Sequence, residues 1–132
     1  MPTIVTTSGL TADAYCDTCP TRAALDRIAG KWTVLVVDLL GDGVYRFREL
    51  HRRIGGISQK MLTQTLRELE ADGYVTRTAF AVVPPRVDYE LTPLGRSLHD
   101  LLSRVRDWAE EHVNEVETAR DRYAERRRAQ AC

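Results

Sequence analysis

One segment, residues 57–91, constrains the fold more than any other; it reads ISQKMLTQTLRELEADGYVTRTAFAVVPPRVDYEL. Its leucines recur at intervals of four and three residues, so Leu62, Leu66 and Leu69 lie on one stripe of a helix. Ser58 is a good N-cap for this helix, and Gly73 ends it as a C′ residue would. A β-rich run, 74–80, follows at once. The segment therefore predicts an amphipathic helix joined directly to a two-stranded hairpin.

A second face of the same helix is polar and repeats with the same spacing. It carries Lys60, Thr63, Gln64 and Arg67. Amide, hydroxyl and cationic groups are the types that pair with base edges and phosphates in a major groove. The pattern favours a winged helix that reads DNA, although a polar face that is merely solvated is the alternative from the helix alone.

The upstream chain supplies the rest of a helix-turn-helix. Pro20 suits the first position of a helix that ends at Gly30. Residues 32–40 (WTVLVVDLL) are nearly all apolar and suit a buried strand or a buried helix. We expect a helix, because Trp32, Leu35 and Leu39 fit its spacing.

A short helix should cover residues 47–54, with Phe47, Leu50 and Ile54 inward and its arginines outward. Gly55-Gly56 is then the turn before the helix that starts after Ser58. Two helices joined by a short glycine-containing turn are the helix-turn-helix arrangement, with the second helix in the reading position.

The hairpin tip, Val82-Val83-Pro84-Pro85, interrupts the strand pattern because proline cannot donate to a ladder. Arg86 follows at the base of the tip, where its cation would reach a minor groove or a phosphate. The alternative is a solvated arginine paired with Asp88 or Glu90.

The C-terminal residues predict one long helix that opens with Thr92 as N-cap and Pro93 at N1 and runs to about Arg128. Apolar positions alternate spacings of four and three, as in a two-helix contact: Leu94, Leu98, Leu101, Val105, Trp108 and His112. A helix this long exceeds one small domain, so we expect it to pair with the same helix of a second subunit. In the alternative, its first half packs on its own domain and its end frays.

Charge is segregated although the 132 residues carry no net charge. Basic residues concentrate before and within the polar helix, at Arg46, Arg48, Arg52, Arg53, Lys60 and Arg67. Acidic residues gather on the C-terminal helix, so a basic patch remains available for a polyanion. No run approaches a membrane span or a secretory signal, and three cysteines suit a reducing cytoplasm.

The fold class expected is therefore mainly α with a small β-hairpin wing: a winged helix-turn-helix with a long C-terminal dimerisation helix. Residues 1–15 would be a flexible arm, residues 16–92 the DNA-binding domain with its N-terminal helix contributing to the dimer, and residues 93–132 the dimerisation helix and tail.

The ordered set of motifs resembles the HxlR family of bacterial winged-helix regulators, relatives of the MarR group, over about residues 19–110. The resemblance rests on Cys19-Pro20, Ala24-Leu25…Ile28…Gly30-Lys31-Trp32, Phe47…Leu50, Ile57-Ser58…Lys60-Met61-Leu62, Leu66…Leu69-Glu70…Asp72-Gly73, Arg77, Pro85…Val87…Tyr89…Leu91-Thr92 and Gly95. The sequence departs from the family pattern at two places: Ala29 stands where a second glycine is commoner, and the Pro84-Pro85 pair extends the wing tip. The resemblance implies a homodimer that binds a palindromic operator in double-stranded DNA.

Cys16 and Cys19 carry the remaining chemistry. Cys19 directly precedes Pro20, so its sulfur would face unpaired backbone N–H groups and the positive end of a helix dipole, which favour the thiolate. Such a cysteine is a target for oxidants and electrophiles, with Cys16 or Cys132 as resolving thiol. The resemblance implies the same, since several family members sense such species at this position. A small buried thiol, a zinc ligand and a thioredoxin-like motif are the alternatives.

We therefore expect a regulator that reads bases or phosphates with Lys60, Gln64 and Arg67 and anchors on phosphates through Ser58, Gln59 and Thr63. The arginines at 46, 48, 52 and 53 would neutralise the backbone. Two other classes stay open: a receptor for a small ligand in an apolar dimer crevice near Trp32 and Trp108, and a protein-interaction module. No catalytic constellation, cofactor motif or metal site is expected.

Overall fold

The computed structural model describes residues 4–5, 11–15 and 20–131. The described helices are α1 (Pro20–Ile28), α2 (Lys31–Leu40), α3 (Phe47–Arg53), α4 (Gln59–Ala71) and α5 (Pro93–Gln130). The described strands are β1 (Ile4–Val5), β2 (Thr11–Ala12), β3 (Tyr45–Arg46), β4 (Val75–Phe80) and β5 (Arg86–Leu91). The expectation of a mainly helical fold with a small β wing is confirmed.

Strands β3, β5 and β4 form an antiparallel sheet in that order, with Val75 opposite Leu91 and Phe80 opposite Arg86. The sequence predicts only the β4–β5 hairpin. Strand β3 was missed because two residues are too short to show an alternating pattern. Strands β1 and β2 also pair, within the segment for which we expected a flexible arm.

One hydrophobic core joins α2, α3, α4, the sheet and the start of α5. Its largest fully buried side chains are Val36, Val37, Leu40, Leu50, Leu62 and Leu66. The predicted stripe of α4 is buried as expected, since Leu66 and Leu69 join Leu62 in this core. Burial of each large aliphatic side chain contributes about 1.5–3 kcal/mol, so this core is the main source of the domain's stability.

Residues 32–40, seven of which are apolar, lie in helix α2, as expected, but the positions whose spacing predicted the helix do not mark its buried face. Thr33, Val36, Val37 and Leu40 are buried, whereas Leu35 is exposed and Trp32 and Leu39 are half-buried. Because α2 is apolar nearly all round, its periodicity does not select a face. The neighbouring elements select it instead.

Both ends of α4 have the caps that the sequence predicts. The Ser58 hydroxyl oxygen accepts the Met61 N–H at 3.0 Å. Gly73 has φ +83°, its N–H donates to Glu70 O, and the Tyr74 N–H donates to Leu69 O, which is the Schellman pattern. Helix α4 is therefore fixed in length at both ends.

Helix α5 begins with Thr92 as its N-cap, whose Oγ1 accepts the Gly95 N–H at 3.1 Å. Leu98 and Leu102 are buried against the domain, so Leu98 belongs to the core of its own chain and not to the expected intersubunit contact. The Arg106 guanidinium pairs with Asp38 of α2, and Ser103 Oγ donates to the same carboxylate at 3.2 Å. Hydrogen bonding to Asp107 and the charge of Asp38 raise the pKa of Arg106.

Gly95 is required by close packing, and its replacement tests this junction. A Cβ at position 95 would lie 2.0 Å from the Tyr74 carbonyl oxygen, which accepts the Thr92 N–H. We expect Gly95→Ala to lower the free energy of unfolding by about 1–3 kcal/mol, since α5 must shift to relieve the overlap. Denaturant unfolding measures this. Gly55→Ala is the matched control because nothing lies within 4 Å of its Cβ, and an equal loss in both variants would contradict the packing argument.

Candidate nucleic-acid interface

Helices α3 and α4 and the turn at Gly55-Gly56 form the helix-turn-helix. Leu50, Ile54 and Ile57 are buried, so the turn packs against the core. Gly56, within the turn, has φ +84°. A residue with a side chain rarely adopts this φ, so Gly56 sets the direction in which the chain enters α4. The two helices are therefore held by apolar burial on one side and leave their polar residues on the other.

The outer face of α4 collects the side chains predicted to contact DNA. Ser58, Gln59, Lys60, Gln64 and Arg67 are exposed, and Thr63 is half-buried. A shallow groove of about 630 Å³ runs along this face, and all of its lining residues except Ala71 are polar or charged: Gln59, Lys60, Thr63, Gln64, Arg67 and Glu68. Gln64 Nε2 lies 3.4 Å from Glu68 Oε1, so the amide is lightly held and its donors remain accessible.

A second cleft, of about 370 Å³, lies between α4 and the inner face of the sheet. It is lined by Thr63, Leu66, Arg67, Glu70, Arg77 and Tyr89. Thr63 and Arg67 border both depressions, so they stand on the ridge of α4 between the groove and the cleft. Arg77 was missed as a candidate because it lies outside the basic cluster 46–67. Its alternation with buried Val75 would have placed it on the face toward α4.

The predicted cations differ in whether a carboxylate neutralises them. Asp88 accepts two of them, since its Oδ1 lies 3.9 Å from Arg46 Nε and 3.5 Å from Arg86 Nε. The Arg86 guanidinium also lies 4.1 Å from the centre of the Phe80 ring. The pairing of Arg86 with Asp88 that the alternative named is therefore present, and contact of Arg86 with DNA stays a prediction.

The other predicted cations have no such partner. Within the part of the chain that the structure describes, no ion pair involves Arg48, Arg52, Arg53, Lys60 or Arg67. All five are exposed. These five exposed cations are thus not held by ion pairs, which leaves them accessible to a polyanionic partner.

Helix α1 contacts the far end of α4 through one ion pair. Arg27 Nε lies 2.7 Å from Asp72 Oδ2, and Asp72 is the C-cap of α4. The hydrogen bond and the charge of Asp72 raise the pKa of Arg27. Cys16 and Cys19, predicted as the redox-sensitive pair, lie outside the described residues.

Two further observations concern metal sites and membrane spans in the described part of the chain. Within residues 4–5, 11–15 and 20–131, no three His, Cys, Asp or Glu side chains group closely enough to hold a metal ion. None of the described helices combines the length and apolarity needed to cross a membrane.

Comparison with known proteins identifies the fold's relatives. Residues 27–117 match the family described as HxlR-like helix-turn-helix. The chain belongs to this family. An HTH-type transcriptional regulator, YtfH of Escherichia coli, is 43% identical over 110 residues, which cover 83% of this chain and 87% of YtfH.

Solved structures agree with the HxlR-like assignment. The transcriptional regulator ytfH from Salmonella typhimurium superposes with a TM-score of 0.80 at 40% identity, covering 83% of this chain and 98% of that one. The redox regulator HypR in its reduced form gives a TM-score of 0.68 at 41% identity, covering 75% and 98% of the two chains. The protein is therefore a transcriptional regulator of the helix-turn-helix type, with the winged-helix fold of the MarR-like proteins.

Proposed function

We propose that this HxlR-like protein is a homodimer that reads a palindromic operator in double-stranded DNA, with α4 of each subunit in successive major grooves. The exposed outer face of α4 carries this proposal, because its cations have no carboxylate partner among the described residues. Two-fold related reading helices require half-sites about one helical turn apart. The operator is therefore expected to be a pseudo-palindrome.

Residues on α4 would divide into readers and anchors. Lys60, Gln64 and Arg67 extend from the exposed face, where a long side chain reaches base edges or phosphates. Ser58, Gln59 and Thr63 lie at or near the N-terminus of α4, where polar groups and backbone N–H groups hold phosphates. The exposed Arg48, Arg52 and Arg53 would neutralise the backbone, whereas Arg46 and Arg86 would first have to leave Asp88.

Substitution of the readers tests this division. We expect Gln64→Ala or Arg67→Ala to weaken operator binding by about 1–3 kcal/mol if the side chain reads a base, with little effect on random DNA. Fluorescence anisotropy at about 150 mM salt, on DNA from upstream of the protein's own gene and on a scrambled duplex, measures both affinities.

The control is Arg96→Ala, which removes the same charge from an exposed position in the first turns of α5. Equal losses on both duplexes would instead indicate phosphate contact. No loss for either reader variant would remove that residue from the interface.

The dimer proposal rests on the unburied apolar stripe of α5. The helix has 38 residues, hence a length of about 57 Å, and its domain buries only the first part. Leu94, Leu101, Val105, Trp108 and Val116 stay between 44% and 58% exposed. An apolar stripe of this length is costly in water, and a second copy of the same helix would cover it at matching spacing.

A charge placed on this stripe should dissociate the dimer. We expect Val105→Glu to shift the protein from dimer to monomer at micromolar concentration, because each subunit would bury an unpaired carboxylate. Light scattering coupled to size-exclusion chromatography measures the mass. Asn114→Glu is the matched control, since Asn114 belongs to a polar row with Asp100, Asp107 and Asp121 at seven-residue spacing. A dimer that survives Val105→Glu but not Asn114→Glu would place the interface elsewhere.

We also propose that oxidants or electrophiles control DNA binding through Cys19. The segment 16–19 leads directly into α1, and Arg27 of α1 pairs with the C-cap of α4 at 2.7 Å. A displacement of α1 would therefore pull on the end of the reading helix. The similarity to HypR, which is described as a redox regulator, supports this part of the proposal.

Oxidation should abolish operator binding reversibly. We expect diamide to take two electrons from Cys19 and a second thiol, Cys16 or Cys132, forming a disulfide that lowers operator affinity and that dithiothreitol reverses. Cys19→Ser should bind DNA and ignore diamide, and Arg27→Ala should bind DNA with a reduced response. Mobility shifts with and without diamide measure this. If the reduced and treated wild-type protein bind equally, the redox control is wrong and the DNA-binding proposal stands.

The second candidate is control by a small apolar ligand at the dimer crevice, with structural cysteines. The exposure of Trp108, which stacks on His112 with ring centres 4.5 Å apart, favours it. Tryptophan quenching by a ligand that releases DNA from Cys19→Ser would support this candidate over the thiol switch.

A further inference from the structure

Arg77 and Tyr89 form the wall of the cleft that faces α4. Side chains alternate along a strand, so Arg77 shares a face with Val75, which is buried toward the core. Tyr89 is the partner of Arg77 in the antiparallel register, directly across the sheet. The two side chains therefore stand together on the wing, opposite Arg67 and Glu70 of α4.

The cleft has two guanidinium groups and one carboxylate. Among the described residues, neither Arg67 nor Arg77 takes part in an ion pair, although Glu70 lines the same cleft. On the opposite face of the sheet the arrangement differs, since Asp88 pairs with Arg46 and Arg86. The inner face of the wing thus keeps its positive charge available, and the outer face does not.

We propose that this cleft holds a phosphodiester group of the DNA backbone, which Arg77 and Tyr89 contact from the wing, while the neighbouring Arg67 of the reading face adds positive charge. The assignment rests on the proposed function. Guanidinium groups bind phosphate through paired N–H donors, and a phenol hydroxyl adds another donor. The backbone borders the major groove, so a helix in the groove brings its flank against phosphates.

The position of the cleft relative to the reading face favours phosphate over a base. Thr63 and Arg67 border both depressions, whereas Gln59, Lys60 and Gln64 border only the outer groove. The cleft is therefore adjacent to the reading face of α4 and lies between this helix and the wing. Glu70 has the opposite role: its carboxylate repels the phosphate and weakens binding.

Arg77→Ala and Glu70→Gln form a reciprocal test in the full-length protein. We expect Arg77→Ala to weaken the operator and a scrambled duplex by the same factor, about tenfold, and to lower the slope of log affinity against log salt by about 1. Glu70→Gln should tighten both complexes, and Tyr89→Phe should weaken both less than Arg77→Ala does. Arg96→Ala, with the same loss of charge on α5, should leave the salt slope at its wild-type value. Circular dichroism and light scattering verify the fold and the mass of each variant.

Each other result overturns the assignment. If wild-type protein binds DNA and Arg77→Ala has the wild-type salt slope, the cleft does not hold a phosphate. The proposal of a DNA-binding regulator is unaffected by that result. A loss confined to the operator makes Arg77 a base reader. Wild-type protein that binds no DNA is a failure of the proposed function itself.

Discussion

Burial of the α4 leucine stripe is the interaction on which the rest of the structure depends. Leu62, Leu66 and Leu69 enter the core between α2, α3 and the sheet, and their burial fixes the rotation of the helix about its axis. Because a helix repeats every 3.6 residues, this rotation determines which residues point outward. Lys60, Gln64 and Arg67 are outward as a consequence, and a one-residue shift of the stripe would turn them into the core or along its edge. The apolar side of α4 thus determines what its polar side presents.

The sequence predicted the fold correctly where one apolar stripe or one capping residue marks an element. It did not predict which face of a helix is buried where several faces are equally apolar. Helix α4 and its two ends were correct because Ser58 and Gly73 each have one physical role there. The sequence predicted helix α2 but not its buried face, because its residues are apolar on nearly all sides and only tertiary packing selects Val36 and Leu40. Leu98 fits the heptad of the proposed dimer equally well, yet its own domain buries it. Spacing alone does not reveal whether an apolar residue of α5 packs on its own domain or on a second subunit.

The candidate interface was predictable in its helix but not in its wing. Counting charges along the chain finds the cluster from Arg46 to Arg67 and treats its members as equal. Contacts across the sheet separate them, since Asp88 pairs with Arg46 and Arg86, whereas Arg48, Arg52, Arg53 and Arg67 take part in no ion pair among the described residues. Arg77 is isolated in sequence and becomes part of a cationic cleft only because the β4–β5 register brings it toward α4. Local composition therefore locates a charged helix. Ion pairs formed across the strands of the sheet determine which of its neighbouring cations stay accessible to DNA.

The turn between α4 and β4 is where the proposed regulatory and dimeric parts of the molecule converge. Asp72, at the end of α4, accepts the ion pair from Arg27 of α1. Gly73 O, one residue later, accepts the Thr92 hydroxyl at 2.6 Å, and Tyr74 O accepts the Thr92 N–H at 3.0 Å. Thr92 caps α5, so three consecutive residues connect the reading helix to both the helix after the cysteines and the helix with the unburied stripe. Coupling between distant sites needs an element whose position both sites bias. This turn has the required contacts, because a shift of α1 or of α5 must either break one of them or move the C-terminal end of α4.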